Sequence, residues 1–132
     1  MESDSDQHAI RNLIETWCTA VRGRDYDGIL RNHSPDMLMF DVPEPFQSKG
    51  IAAYRATWDL FLGWSPGPVK FEFSDIRITA GRDVAFATAH GHCYGPDENG
   101  QPADLDFRLT MGLRKIAGRW MIEHEHHSVP AP

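Results

Sequence analysis

The stretch WMIEHEHHSVP, residues 120–130, sets His124, His126 and His127 beside Glu123 and Glu125. Imidazoles and carboxylates at that density can hold a divalent metal, move a proton, or fill a wall. The choice depends on where they point. Side chains of a strand alternate between its faces. In an unbroken strand Trp120, Ile122, His124, His126 and Ser128 share one face, and Met121, Glu123, Glu125 and His127 the other. Trp120 and Ile122 mark the first face as inward, and two glutamates mark the second as outward. His124 and His126 are therefore expected inside, with His127 outside.

Asp41 is the second chemically loaded position. It follows Met37, Leu38, Met39 and Phe40 and precedes Val42. A carboxylate on so apolar a strand has its pKa raised by burial unless a cation pairs with it. Such a group can serve as a general base, alone or with a histidine. It can also simply close an ion pair with Arg108, and His124 and His126 can be wall residues bonded to backbone and Thr110. A metal reading comes from two His-x-His pairs, His90-Gly91-His92 and His124-Glu125-His126, each with both imidazoles on one strand face. Against it, Ala85, Ala87, Ala89 and Gly91 are small enough to lie under helices, which puts His90 and His92 outside. No metal is assigned.

These residues need elements to carry them. Ile10, Leu13, Ile14, Trp17, Cys18 and Val21 recur at helical spacing, with Asp4 and Ser5 as candidate caps and Gly23 as a stop. Asp25 can cap a short helix with Ile29 and Leu30, ended at Ser34-Pro35. Residues 37–42 read as a strand and Pro43 to Gly50 as a loop. Ile51, Tyr54, Trp58, Phe61 and Leu62 make a third amphipathic helix. Strands follow over residues 69–80, 84–94, 105–116 and 120–128, the last two joined at Ala117-Gly118. Helices first and a meander after imply an α+β fold, with a curved antiparallel sheet wrapped on the helices.

The last hairpin has two registers. A two-residue turn places Leu109, Met111 and Leu113 on the face of the two histidines; a bulge at Gly118 places Arg108 and Thr110 there instead. A glycine just before the returning strand favours the bulge. Arg108 then stands in the interior near His126. The apolar face of Leu105, Phe107, Leu109, Met111 and Leu113 then points outward and needs a partner, which predicts a homodimer through the outer sheet face.

Composition limits the alternatives. The chain of 132 residues is long enough for one domain, residues 1–132. Its net charge of -6 and its scattered 13 Lys and Arg argue against nucleic acid. No apolar run approaches the ~20 residues of a membrane span. The start MESDSDQ is no secretory signal. Cys18 and Cys93 form no CxxC motif, so a reduced, cytoplasmic protein is expected. GxSxG, P-loop and GxGxxG motifs are absent.

The order of features resembles a known superfamily. An opening helix ends in GRDYDGI, a strand ends in an acid at MFDVPEPFQSKG, and a late hairpin reads FRLTMGLRKIAGRWMIEHEHHSVP. This resembles the nuclear transport factor 2-like superfamily, in particular its SnoaL-like and ketosteroid isomerase-like members. The resemblance implies a cone of curved sheet and helices around one pocket, commonly a dimer. It also implies a cofactor-independent reaction at Asp41, the position of the isomerases' base, on an apolar carbonyl compound, or else a non-catalytic association or ligand-sensing module. Where those isomerases place a phenol this chain has Trp17, whose indole donates a hydrogen bond but is no acid. The expected catalytic set is Asp41, His124 and His126. The expected pocket adds Trp17, Phe40, Tyr54, Trp58, Phe61, Arg108, Thr110 and Trp120, around a small apolar molecule and no cofactor.

Overall fold

A computed structural model describes residues 4–132. Helix α1 spans Asp4–Arg22, α2 Tyr26–Leu30 and α3 Ile51–Trp64. The strands are β1 (His33–Phe40), β2 (Ser48–Lys49), β3 (Lys70–Ala80), β4 (Val84–Pro96), β5 (Pro102–Ile116) and β6 (Arg119–Ser128). The capping expected of Asp4 falls outside the described side chains, and Ser5 lies within α1. Asp25 caps α2 as expected, accepting from the Gly28 N–H. The first strand begins four residues earlier than anticipated, because His33 pairs with Ile122 of β6 and Pro35 falls where the register shifts.

The six strands form one sheet in the order β2-β1-β6-β5-β4-β3. All neighbours are antiparallel except β1 and β6. The helices cover the concave side. Ile10, Ile14, Trp17 and Val21 of α1 pack there with Tyr54, Trp58 and Leu62 of α3, against Met37, Met39, Phe71, Leu109, Met111 and Ile122 of the sheet. On β4, Ala85, Ala87, Ala89 and Gly91 face the helices, while His90 is exposed on the other side. Small residues let the sheet approach closely: a Cβ on Gly91 would come within 2.4 Å of the Phe107 ring.

One side of the fold is tied by Arg24, held at positive φ (54°) in the turn after α1. Its guanidinium donates to the carbonyls of Leu62 (2.9 Å), Ser65 and Gly67 (2.6 Å). The end of α3 and the loop leading to β3 are thereby fastened to the α1–α2 turn.

The hairpin register differs from the expected one, and the difference moves the site. Ala117 and Gly118 both have positive φ, and Ile116 pairs directly with Arg119, so this is a tight two-residue turn without a bulge. The extra residue sits further along β6, where the pairing shifts between Leu113↔Ile122 and Gly112↔His124. Glu123 is thus the odd residue, and past it the alternation inverts. Trp120 and Ile122 face inward as anticipated, but so do Glu125 and His127. His124, His126, Arg108 and Thr110 face outward. Phe107, Leu109, Met111 and Leu113 are buried on the concave side, so the apolar face expected to seek a partner is core.

Gly91→Ala should force the Phe107 ring off the sheet. A loss of about 1–3 kcal/mol in urea-unfolding stability is expected, as for other overpacked cores.

Candidate functional site

The concave side encloses a cavity of about 580 Å³. Its walls are mainly apolar: Trp58, Phe61 and Trp64 from α3, and Phe71, Cys93 and Phe107 from the sheet. Asp41, at the end of β1, and His127, near the end of β6, meet at one wall. Parallel pairing of these two strands, with Phe40 opposite His126, brings them side by side. His127 Nδ1 lies 3.4 Å from Asp41 Oδ1. Asp41 also accepts from its neighbour's N–H, Val42, at 2.8 Å.

Behind that wall lies a buried polar cluster centred on Glu125, which is fully buried. Its Oε1 accepts from His127 Nε2 at 3.0 Å. Its Oε2 takes the Tyr54 hydroxyl at 2.6 Å and His33 Nε2 at 2.5 Å. Burial alone pushes the Glu125 carboxyl up, but hydrogen bonds from His127 and His33, with their charges, outweigh it and hold the group at about 2. For His127 burial pulls downward, and the bonds to Asp41 and Glu125 outweigh it, raising the imidazole to about 9. Tyr54 is pushed well above 10, first by burial and then by the Glu125 charge. The Trp17 and Trp58 indole N–H groups turn toward that hydroxyl and oppose the rise. Neither reaches full hydrogen-bond geometry. At neutral pH the site is therefore an imidazolium held between two carboxylates, one buried and one on the cavity wall.

The expected site residues divide. Asp41, Trp58 and Phe61 line the cavity. Tyr54 and Trp17 stand behind its wall; Trp17 contacts His33, with ring centroids 6.5 Å apart, and His127, at 6.4 Å. Trp120 lies away from the cavity, donating to Asp6 Oδ1 at 3.1 Å under α1. Phe40, His124 and His126 form an aromatic group on the outer face, with the Phe40 ring edge-on to both imidazoles. His124 Nδ1 bonds the Leu38 carbonyl at 2.7 Å. Arg108 donates to Ser128 Oγ at 3.1 Å rather than to Asp41. The unbulged turn at Ala117-Gly118 sets Arg108 and Thr110 away from the cavity, and the inversion at Glu123 turns His124 and His126 away.

The missed residues are His127, Glu125 and His33. One signal could have located the inversion: Gly112 lies inside β5 opposite His124, and a glycine within a strand often marks a bulge. The two His-x-His pairs do not converge, because β5 runs between β4 and β6. Among the described residues one group of three could hold a metal: His92, Asp104 and Asp106, on the outer face. His92 already engages Asp106 at 2.7 Å and Asp104 at 3.3 Å, one through each ring nitrogen. Cys93 reaches the cavity, but burial pushes its thiol up to about 11, so it is protonated at neutral pH.

Two expectations follow from the buried cluster. His127 has a folded pKa (about 9) above its ordinary 6.5, so its contribution to stability is complete below pH 6.5 and is lost as pH rises through 9. Glu125 has a folded pKa (about 2) below its ordinary 4.5, so its contribution is complete above pH 4.5 and is lost as pH falls through 2. Thermal melts across pH should show a plateau between 4.5 and 6.5, and His127→Gln should flatten the alkaline decline. Glu125→Ala, which strands three donors, should cost about 3–5 kcal/mol in urea unfolding.

The fold and the match to known proteins agree. Residues 10–132 match the SnoaL-like domain. The chain is 36% identical to a nuclear transport factor 2-like protein of unknown function from Pseudomonas putida KT2440. That similarity covers 100% of this chain and 92% of that one, with a TM-score of 0.89. A nuclear transport factor 2-like superfamily protein from Salmonella enterica shares 17% identity over 99% of this chain and 95% of that one, with a TM-score of 0.86. The association domain of CaMKII from C. elegans shares 21% identity over 95% and 96%, with a TM-score of 0.74. None of the curated proteins compared with the chain matches it. A curved six-stranded sheet on three helices, the domain match across residues 10–132, and the 36% identical relative together place this chain in the SnoaL-like family of nuclear transport factor 2-like proteins.

Proposed function

We propose that the protein binds a small apolar molecule in its concave cavity and carries out acid–base chemistry on it at Asp41, without a cofactor. One observation carries the reading: a partly exposed carboxylate lies 3.4 Å from a buried imidazolium at the edge of a mainly apolar cavity. Cavities of this size and lining suit small molecules, with a few polar groups to fix orientation. An apolar carbonyl compound offers the matching reaction. Asp41 takes a proton from the carbon beside the carbonyl; the C–H bond breaks, an O–H bond forms on Asp41, and the electron pair moves to the carbonyl oxygen. Once Asp41 has taken that proton and lost its charge, the His127 Nδ1–H that it held is the group able to meet that oxygen. Return of the proton to another carbon completes an isomerisation. His124 and His126, on the outer face, have no part in this scheme.

A panel of apolar ketones in D₂O tests it. The protein should speed incorporation of deuterium next to the carbonyl of at least one, and Asp41→Asn should lower that rate by about 10²–10⁴ with an unchanged circular dichroism spectrum. Binding without any incorporation would make the protein a non-catalytic binder.

A second reading is favoured by the likeness to the CaMKII association domain, a likeness of fold alone. It is an association module, with the outer sheet face pairing two copies. Val84 and Phe86 are more than half exposed on that face. Sedimentation equilibrium of Phe86→Glu should then show a monomer where the parent chain shows a dimer.

A further inference from the structure

The polar groups of the cavity are of one kind. The Thr57 hydroxyl donates to the Tyr54 carbonyl at 2.6 Å, and the Ser65 hydroxyl to the Pro96 carbonyl at 2.6 Å. Both protons are spent on backbone, leaving only lone pairs for a ligand. The Trp58 indole N–H is buried away from the cavity surface. His127 has a carboxylate at each ring nitrogen. Asp41 and Glu44 line the cavity, Asp104 reaches its edge but is engaged by His92 at 3.3 Å, and among the described residues no Lys or Arg lines it. The Arg24 guanidinium, bonded to the carbonyl of the cavity-lining Ser65, is used by three backbone carbonyls. The lining therefore offers acceptors and negative charge, with His127 as its one cation.

The apolar part of the lining has a matching character. Trp58 meets Phe61 and Phe71 edge-on, at 5.6 and 5.7 Å between centroids, and Phe71 lies stacked near Phe107 at 6.0 Å. Ring faces and edges so disposed form the sides of an aromatic box, and ring faces attract cations.

We infer that the cavity selects apolar ligands that carry a protonated amine, held against the Asp41 and Glu44 carboxylates with its apolar body among Trp58, Phe61, Phe71 and Phe107. An ammonium supplies the hydrogen-bond donors that the lining lacks and the charge that its carboxylates leave unbalanced. A carboxylate ligand would meet like charge and no free donor. The inference rests on the reading of the cavity as a ligand site, but not on proton transfer at Asp41.

Three probes sharing one ring system separate the possibilities: 2-naphthylmethylamine, protonated at pH 7, 2-naphthylmethanol and 2-naphthoate. Isothermal titration of the full chain should give the ammonium about tenfold tighter binding than the alcohol. The carboxylate should bind weaker than the alcohol. The advantage of the ammonium should shrink with added salt, and Glu44→Gln should reduce it several-fold while leaving alcohol binding unchanged. An alcohol or carboxylate that binds as tightly as the ammonium overturns the charge inference and leaves the cavity as a site for apolar molecules. No binding of any probe at about 10 mM, weaker than the millimolar affinity of ordinary small ligands, overturns both.

Discussion

The interior is organised around one buried carboxylate. Glu125 has no access to water and would be untenable there alone, since an unpaired buried charge costs several kcal/mol. Tyr54 from α3, His33 from β1 and His127 from its own strand together satisfy both oxygens. Each donor comes from a different part of the chain. The cluster therefore does more than solvate a charge: it sets the seating of α3 on the sheet and holds β1 beside β6. It also fixes the protonation of His127, and through His127 the surroundings of Asp41.

That arrangement depends on a single extra residue. Without the bulge at Glu123, Glu125 and His127 would face outward and His124 and His126 would occupy the interior. A position-two alternation carries no record of where a strand gains a residue, because either side of the break reads as regular. The element order, the inward alanines of β4 and the special position of Asp41 were all legible, since each rests on local pattern. The faces of β6 were not. They follow from how β6 pairs with β5 and β1, a tertiary matter, and Gly112 was the faint trace of it. The unbulged turn at Ala117-Gly118 put Arg108 and Thr110 outward and buried the apolar stripe from Phe107 to Leu113, so moving one extra residue from the turn to Glu123 accounts for the differences in this hairpin.

Membership of the SnoaL-like family fixes the frame but not the chemistry, because this frame is shared by proteins of unlike role. The polar groups on the cavity wall of this chain come together where Asp41 and His127 meet. The 36% identical relative from Pseudomonas putida is itself of unknown function, so that wall and not the likeness is the ground for any reading of activity. An imidazolium flanked by two carboxylates surrenders its proton more readily once one neighbour loses its charge. Its state is therefore coupled to whatever happens at Asp41.

The two sides of the cavity entrance are built differently. On one, Arg24 bolts the carbonyls of Leu62, Ser65 and Gly67 to the α1–α2 turn, and Ser65 lines the cavity. On the other, the segment after Asp41 carries Phe46 with 95% of its surface in water. One edge of the entrance is thus fastened through a side chain, while the segment beside the other presents an apolar ring to water. A change at Arg24 would therefore loosen the fastened edge without altering any group of the wall where Asp41 and His127 meet.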